Sequence, residues 1–75
     1  MSKSKFSDRL REVRQRRGLT ATALSQRAGL HITAISLLEG DKRLPGFETM
    51  VALAKALNVS ADFLLGLSKE MRGLG

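Results

Sequence analysis

The side chains that most often carry out catalysis are few in this sequence and stand far apart. His31 is the only histidine, cysteine, tyrosine and tryptophan are absent, and the seven carboxylates are scattered without a partner base. We therefore expect no catalytic acid–base pair and no activated nucleophile, so the chain is not expected to be an enzyme. The same shortage of ligands argues against a metal site, and no cofactor is expected. His31 stands where a helix cap belongs, which favours capping or a phosphate contact.

The sequence is rich in positively charged side chains, which are concentrated near its start. The net charge is +6, and residues 1–17 contribute +5 of it, because they hold seven lysines and arginines against Asp8 and Glu12. A basic segment on a small domain indicates a polyanionic partner. A solvated helix face that keeps the domain soluble explains the charge equally well. The seven cations are Lys3, Lys5, Arg9, Arg11, Arg14, Arg16 and Arg17.

Length and composition predict one small soluble domain. The chain has 75 residues, of which 43% are hydrophobic, and this suffices for a single core. Its apolar runs are too short to cross a membrane, and its start lacks the pattern of a signal peptide. The absence of cysteine suits a reducing compartment, so we expect a cytoplasmic protein without membrane contact. No second domain is visible in which a small-molecule effector would bind.

The elements that must position these residues are helices. An apolar residue, a capping residue and a second apolar residue one turn later recur three times, which is the spacing of a hydrophobic staple at a helix start. No segment alternates with period two for long enough to form a strand. The fold class predicted is all-α, with helices near 5–17, 20–28, 31–39, 47–57 and 60–66. The three repeated patterns are Leu19-Thr20 with Leu24, Leu30-His31 with Ile35, and Val59-Ser60 with Leu64.

A short turn between the second and third helices is typical of a helix-turn-helix. The turn reads Ala28-Gly29-Leu30. The small residues allow the helices to cross closely, and Gly29 can adopt the positive φ that such a turn needs. In a helix-turn-helix the second of the two helices enters the major groove of DNA.

With this motif in place, residues 6–66 resemble the Cro/CI-type (lambda-repressor-like, XRE) helix-turn-helix domain. The resemblance rests on an ordered set of landmarks: Leu-Thr before Leu24, Gly29, Ile35-Ser36, Leu38-Glu39, Lys42-Arg43, Pro45, "LAKAL" and "VSADFLLG". It implies a compact five-helix domain that binds duplex DNA sequence-specifically. It also implies that the protein is a transcriptional regulator, most often a repressor, acting as a homodimer on an inverted repeat. A structural salt bridge between Arg14 and Glu39 follows from the same resemblance.

The family's base-contacting positions fall on Ile32, Thr33, Ser36 and Leu37, which helical spacing turns away from Ile35 and Leu38. This face lacks the arginine, glutamine or asparagine that reads a base with two hydrogen bonds. Two hydroxyls and several methyl groups remain, so we expect contacts with thymine methyl groups and modest discrimination.

Contacts with the DNA backbone are expected beside this face. The start of the second helix, at Thr20 and Ala21, presents free N–H groups to a phosphate, although the family often has glutamine where this chain has Ala21. Lys42 and Arg43 match the family's backbone-contacting loop. The order Gly40-Asp41 reverses the usual one, and Asp41 is unfavourable near phosphates unless Lys42 or Arg43 neutralises it. Residues 1–5, with Lys3 and Lys5, are expected to form a flexible basic arm.

The sequence leaves open the role of the C-terminal tail and the choice between two functions. The homodimer is expected to form through Phe63, Leu65 and Leu67, and the tail of residues 67–75, with Met71 and Leu74, either adds to this contact or folds back on the domain. The alternative function is a protein-interaction module on the same scaffold, such as an antitoxin or an anti-repressor-like partner. In that case Ile32 and Leu37 would anchor a protein rather than read DNA.

Overall fold

The computed structural model describes residues 5–67 and builds them from five helices without a strand. The all-α prediction is confirmed, and each predicted helix boundary is met within one residue. Residues 1–4 and 68–75, which include Lys3, Met71 and Leu74, lie outside the described part of the chain. The helices are α1 (Phe6–Arg16), α2 (Ala21–Ala28), α3 (Ile32–Glu39), α4 (Phe47–Leu57) and α5 (Ala61–Leu65).

Three helices begin at the capping residues that the repeated pattern predicts. Thr20 Oγ1 accepts the Ala23 N–H at 3.0 Å, and Ser60 Oγ accepts the Phe63 N–H at 3.0 Å. His31 caps α3 in the same way through its Nδ1 atom. Each cap satisfies a backbone donor that the first turn of a helix leaves unpaired, which is worth about 1 kcal/mol per site.

A single apolar core is formed by one face of each helix. α1 packs against α3 and α5, while α2 packs against α3 and α4. The α2–α3 turn depends on Gly29, whose φ is +70°, and the Leu30 N–H closes the end of α2 on the Ser25 carbonyl at 2.8 Å. The buried apolar residues are Leu10, Val13, Leu24, Ile35, Leu38, Met50, Leu53, Ala54, Leu57, Val59 and Leu64. None of the described helices is both long and apolar enough to cross a lipid bilayer.

Candidate nucleic-acid interface

The outer face of α3 carries the side chains that the sequence assigns to base contact. Ile32, Thr33 and Ser36 are exposed, whereas Ile35 and Leu38 on the opposite face are buried in the core. Leu37 departs from the expectation, because it is half-buried. The position lies on the border between the two faces of a helix only two turns long, and neighbouring elements cover part of it. The exposed face is therefore narrower and more polar than the sequence predicts.

Two arginines of α1 hold the end of α3. The Arg14 Nε and Nη2 atoms donate to the two carboxylate oxygens of Glu39 at 2.6 and 3.0 Å, and both side chains are largely buried. Arg14 also donates from Nη1 to the Leu19 carbonyl at 2.9 Å. Arg11 reaches the Glu39 carbonyl at 3.2 Å. These bonds fix α3 relative to α1 and to the turn before α2. The bond with the Glu39 carboxylate raises the pKa of the Arg14 guanidinium.

The starts of α2 and α3 present backbone donors near this face. Thr20 takes up the Ala23 N–H, so the N–H groups of the first two residues of α2, Ala21 among them, point out of the helix without an intrahelical acceptor. At α3, His31 Nδ1 accepts the Thr33 N–H at 3.1 Å. An accepting Nδ1 requires the tautomer with its proton on Nε2, which leaves Nε2–H as a donor. His31 is exposed.

The loop after α3 has an acidic residue in a strained conformation. Asp41 has a φ of +60°, while its own N–H donates to the Leu38 carbonyl and the Lys42 N–H to the Leu37 carbonyl. Its carboxylate is neutralised by Lys5, whose Nζ lies 3.1 Å from Oδ2. The cation paired with Asp41 is thus Lys5, a residue that the sequence did not connect with this loop, while Lys42 and Arg43 are exposed. Lys5 also departs from the expected free arm, since this pair ties it to the loop.

Most of the arginines in residues 5–17 bond other groups within the domain. Arg11, Arg14 and Arg17 each bind the end of another element, with Arg17 donating to the carbonyls of Leu57 and Asn58 at 2.8 and 3.1 Å. These carbonyls lie at the C-terminus of α4, where a cation also favours the helix dipole. Arg16 pairs with a carboxylate of its own helix, Glu12, at 2.8 Å. The charge of α1 therefore serves to assemble the scaffold as much as to attract a partner.

The exposed apolar surface consists of side chains that lie outside α3. Of the predicted dimer contacts, Leu65 and Leu67 are exposed and Phe63 is half-buried. Sequence reasoning missed two more exposed side chains, Leu44 and Phe47, the second of which is 84% exposed. Phe47 shares the apolar stripe of α4 with Met50, so periodicity alone would bury it. It stands at the first position of the helix, beyond the edge of the core.

Side chains at and near the start of α1 contact the α3–α4 loop and the end of α5. The start of α1 touches the α3–α4 loop through Lys5 and Asp41, and one turn later Arg9 lies over Gly66 at the end of α5. The contact at Gly66 is so close that an added Cβ would come within 2.5 Å of the Arg9 guanidinium.

Comparison with known proteins finds a family and solved relatives of the same fold. The helix-turn-helix family HTH_3 matches residues 10–64. The P22 c2 repressor, solved in complex with a synthetic operator, is 32% identical and superposes with a TM-score of 0.82 over 88% of this chain and 100% of that one. The restriction-modification controller protein C.AhdI from Aeromonas hydrophila is 30% identical, with a TM-score of 0.77 over 80% of this chain and 91% of that one.

A relative from Bacillus subtilis strain 168 extends the likeness to regulators. The HTH-type transcriptional regulator ImmR is 36% identical over 58 residues, which are 77% of this chain and 46% of that protein. The chain spans about half the length of the curated relatives that it matches. The likeness therefore concerns the helix-turn-helix part of those proteins.

Proposed function

The chain belongs to the Cro/CI-type helix-turn-helix family, and we propose that it is a transcriptional regulator that binds specific DNA sequences as a homodimer and represses transcription. Its fold is that of the helix-turn-helix DNA-binding domain of such regulators, and the expectation that it is not an enzyme is confirmed by the family and its neighbours. A bound repressor acts by occupying DNA, which requires no chemistry from the protein.

The observation that supports the proposal is the exposed face of α3, a helix whose end is held by bonds from the two arginines of α1. Its exposed Ile32, Thr33 and Ser36 are the side chains proposed to enter the major groove. The exposed part of the half-buried Leu37 is proposed to contact the bases beside them. Apolar groups there would contact thymine methyls, and hydroxyls would bond base edges.

The groups around α3 are proposed to bind phosphates. They combine the start of α2, the cap of α3 and the loop after α3, and such contacts set the register of a protein on DNA without reading sequence. Each contact that neutralises a phosphate releases counterions, so binding weakens as salt rises. The residues are Thr20, Ala21, His31, Lys42 and Arg43.

The homodimer is proposed to form through Phe63, Leu65 and Leu67, of which the two leucines are exposed. Two-fold pairing would present two copies of α3 to successive major grooves and match an inverted repeat. Sedimentation of the wild type and of Leu65→Ser should show a dimer that the substitution weakens. A wild type that stays monomeric at high concentration, with and without DNA, would contradict the dimer.

Selection of binding sites from a random duplex library at two salt concentrations tests the DNA proposal. We expect an enriched inverted repeat with thymines opposite α3, lost from the selection when Ile32→Ala and Thr33→Ala are combined. Lys55→Met, an exposed cation of α4 outside the interface, is the matched control and should leave the selected sequence unchanged. Retention without any enriched sequence would contradict specific readout. The half-burial of Leu37 weakens the alternative in which Ile32 and Leu37 together anchor a protein partner.

A further inference from the structure

Asp41 occupies a backbone position that is unfavourable for its residue type. In the cap that ends α3, the residue with positive φ is usually glycine, because a Cβ crowds the carbonyl in the left-handed region. Here Gly40 has an ordinary φ of −87° and Asp41 has a φ of +60°. Aspartate tolerates this conformation better than most residues, but glycine would cost less. A strained residue in the loop next to the proposed binding surface directs attention to the contact that its side chain makes.

The side chain of Asp41 holds a cation that would otherwise be available to DNA. Lys5 is the N-cap residue of α1, 36 positions earlier in the chain, and its Nζ donates to Asp41 Oδ2 at 3.1 Å. Both groups remain largely exposed to solvent, so neither is needed to fill the core. The hydrogen bond with the Asp41 carboxylate raises the pKa of Lys5. The neighbouring cations of the loop, Lys42 and Arg43, are left exposed.

We propose that Asp41 withholds Lys5 from the phosphates of DNA and so lowers the affinity for duplex of any sequence, an inference that rests on the proposed DNA binding. A phosphate that attracts Lys5 away from Asp41 leaves an unneutralised carboxylate beside a polyanion. Transfer of Lys5 is therefore opposed both by the lost pair and by the repulsion that replaces it. The loop contacts DNA through Lys42 and Arg43 alone.

Withholding a cation removes a sequence-independent contribution to DNA binding. A face without arginine, glutamine or asparagine gains little from the correct sequence, whereas phosphate contacts strengthen binding to every sequence equally. One additional phosphate contact would raise the affinity for random duplex roughly eightfold at 0.1 M salt, because the logarithm of the binding constant changes by about 0.9 per decade of salt. The same gain applies to a specific site, so the ratio of specific to random-sequence affinity stays unchanged. Asp41 therefore limits the overall affinity for duplex rather than the discrimination between sequences.

Salt titrations of binding to a random-sequence duplex test the inference with four proteins. Asp41→Asn keeps a residue that tolerates positive φ and frees Lys5, so the salt slope should steepen by about 0.9 per bound protomer. Lys5→Met in the wild type should leave the slope unchanged, because no phosphate contact is lost, but it should weaken binding, because the Asp41 carboxylate is left unneutralised. The double variant should return to the wild-type slope. Glu12→Gln, which removes the carboxylate from the exposed Arg16 pair, is the matched control and should not steepen the slope.

Two results would overturn the inference while leaving the proposed function intact. A shallower slope for Lys5→Met alone would show that Lys5 already contacts phosphate in the wild type. A gain in the Asp41→Asn protein that persists in the double variant would show that the carboxylate only repels DNA, without acting through Lys5. Failure of the wild type to bind duplex at low salt is a different result, which would remove the proposed function and this inference with it.

Discussion

Replacing Glu39 by glutamine should destabilise the domain far more than an ordinary loss of surface charge. Glu39 receives two bonds from Arg14, and the two side chains are only 11% and 15% exposed. The substitution keeps the shape and one acceptor but leaves the Arg14 guanidinium facing an amide that has its own N–H donors. Arg14 stays in place through its bond to the Leu19 carbonyl, so it cannot turn into solvent without losing that bond as well.

The magnitude follows from the burial of the pair. Exposed pairs contribute about 0–1 kcal/mol, and removing one partner of a fully buried pair costs about 3–5 kcal/mol. Because this pair lies near the buried limit and glutamine retains one acceptor, we expect a loss of about 2–3 kcal/mol in the free energy of unfolding. A domain of this length has about 4–11 kcal/mol in total. The melting temperature should fall by on the order of 10 °C or more.

Urea and thermal unfolding followed by circular dichroism measure this loss. The matched control is Glu12→Gln, which removes the carboxylate from the exposed Arg16 pair and should cost less than about 0.5 kcal/mol. Arg14→Met and the double variant complete a thermodynamic cycle, in which the coupling energy should exceed about 1.5 kcal/mol. Equal losses for Glu39→Gln and Glu12→Gln would refute the reasoning, because they would show that burial adds nothing to this pair.

Three further outcomes follow from the structure. Gly29→Ala should lower the free energy of unfolding by about 1 kcal/mol through its positive φ alone, since open space surrounds the site, whereas Gly46→Ala, with a negative φ and equal space, should have little effect in the same urea assay. Thr20→Ala should cost about 1 kcal/mol through loss of the α2 cap, and a cost near zero would show that the Ala23 N–H finds another acceptor. Lys42→Met and Arg43→Met should each make the salt slope of DNA binding shallower by about 0.9 per protomer, and an unchanged slope would remove that residue from the proposed phosphate contacts.

The helices were predictable because their signals are local. The caps at Thr20, His31 and Ser60 lie within four residues of the apolar positions that they serve, and the turn glycine at Gly29 adjoins both of its helices. The Arg14 and Glu39 pair, 25 residues apart, came from the family resemblance and is confirmed by the geometry.

The remaining contacts depend on tertiary packing that no local pattern encodes. Lys5 meets Asp41 across 36 residues, and Arg17 meets the end of α4 across 40 or more. Long charged side chains reach carbonyls and carboxylates wherever packing brings them near, so their partners cannot be deduced from spacing. The exposure of Phe47 has the same origin, because its position on an apolar stripe does not reveal that the core ends before it.

The way in which the cations are distributed determines where DNA affinity must come from. Within the described part of the chain, the arginines of α1 that bind helix ends contribute mainly to the scaffold, and Lys5 is paired with Asp41. A single protomer on the proposed site then has few phosphate contacts and a reading face of methyl and hydroxyl groups. Joining two such protomers makes the second binding event intramolecular, and this gain requires no new contact with DNA. On the proposed function, substitutions on the exposed apolar surface should therefore reduce operator affinity more than single substitutions on α3.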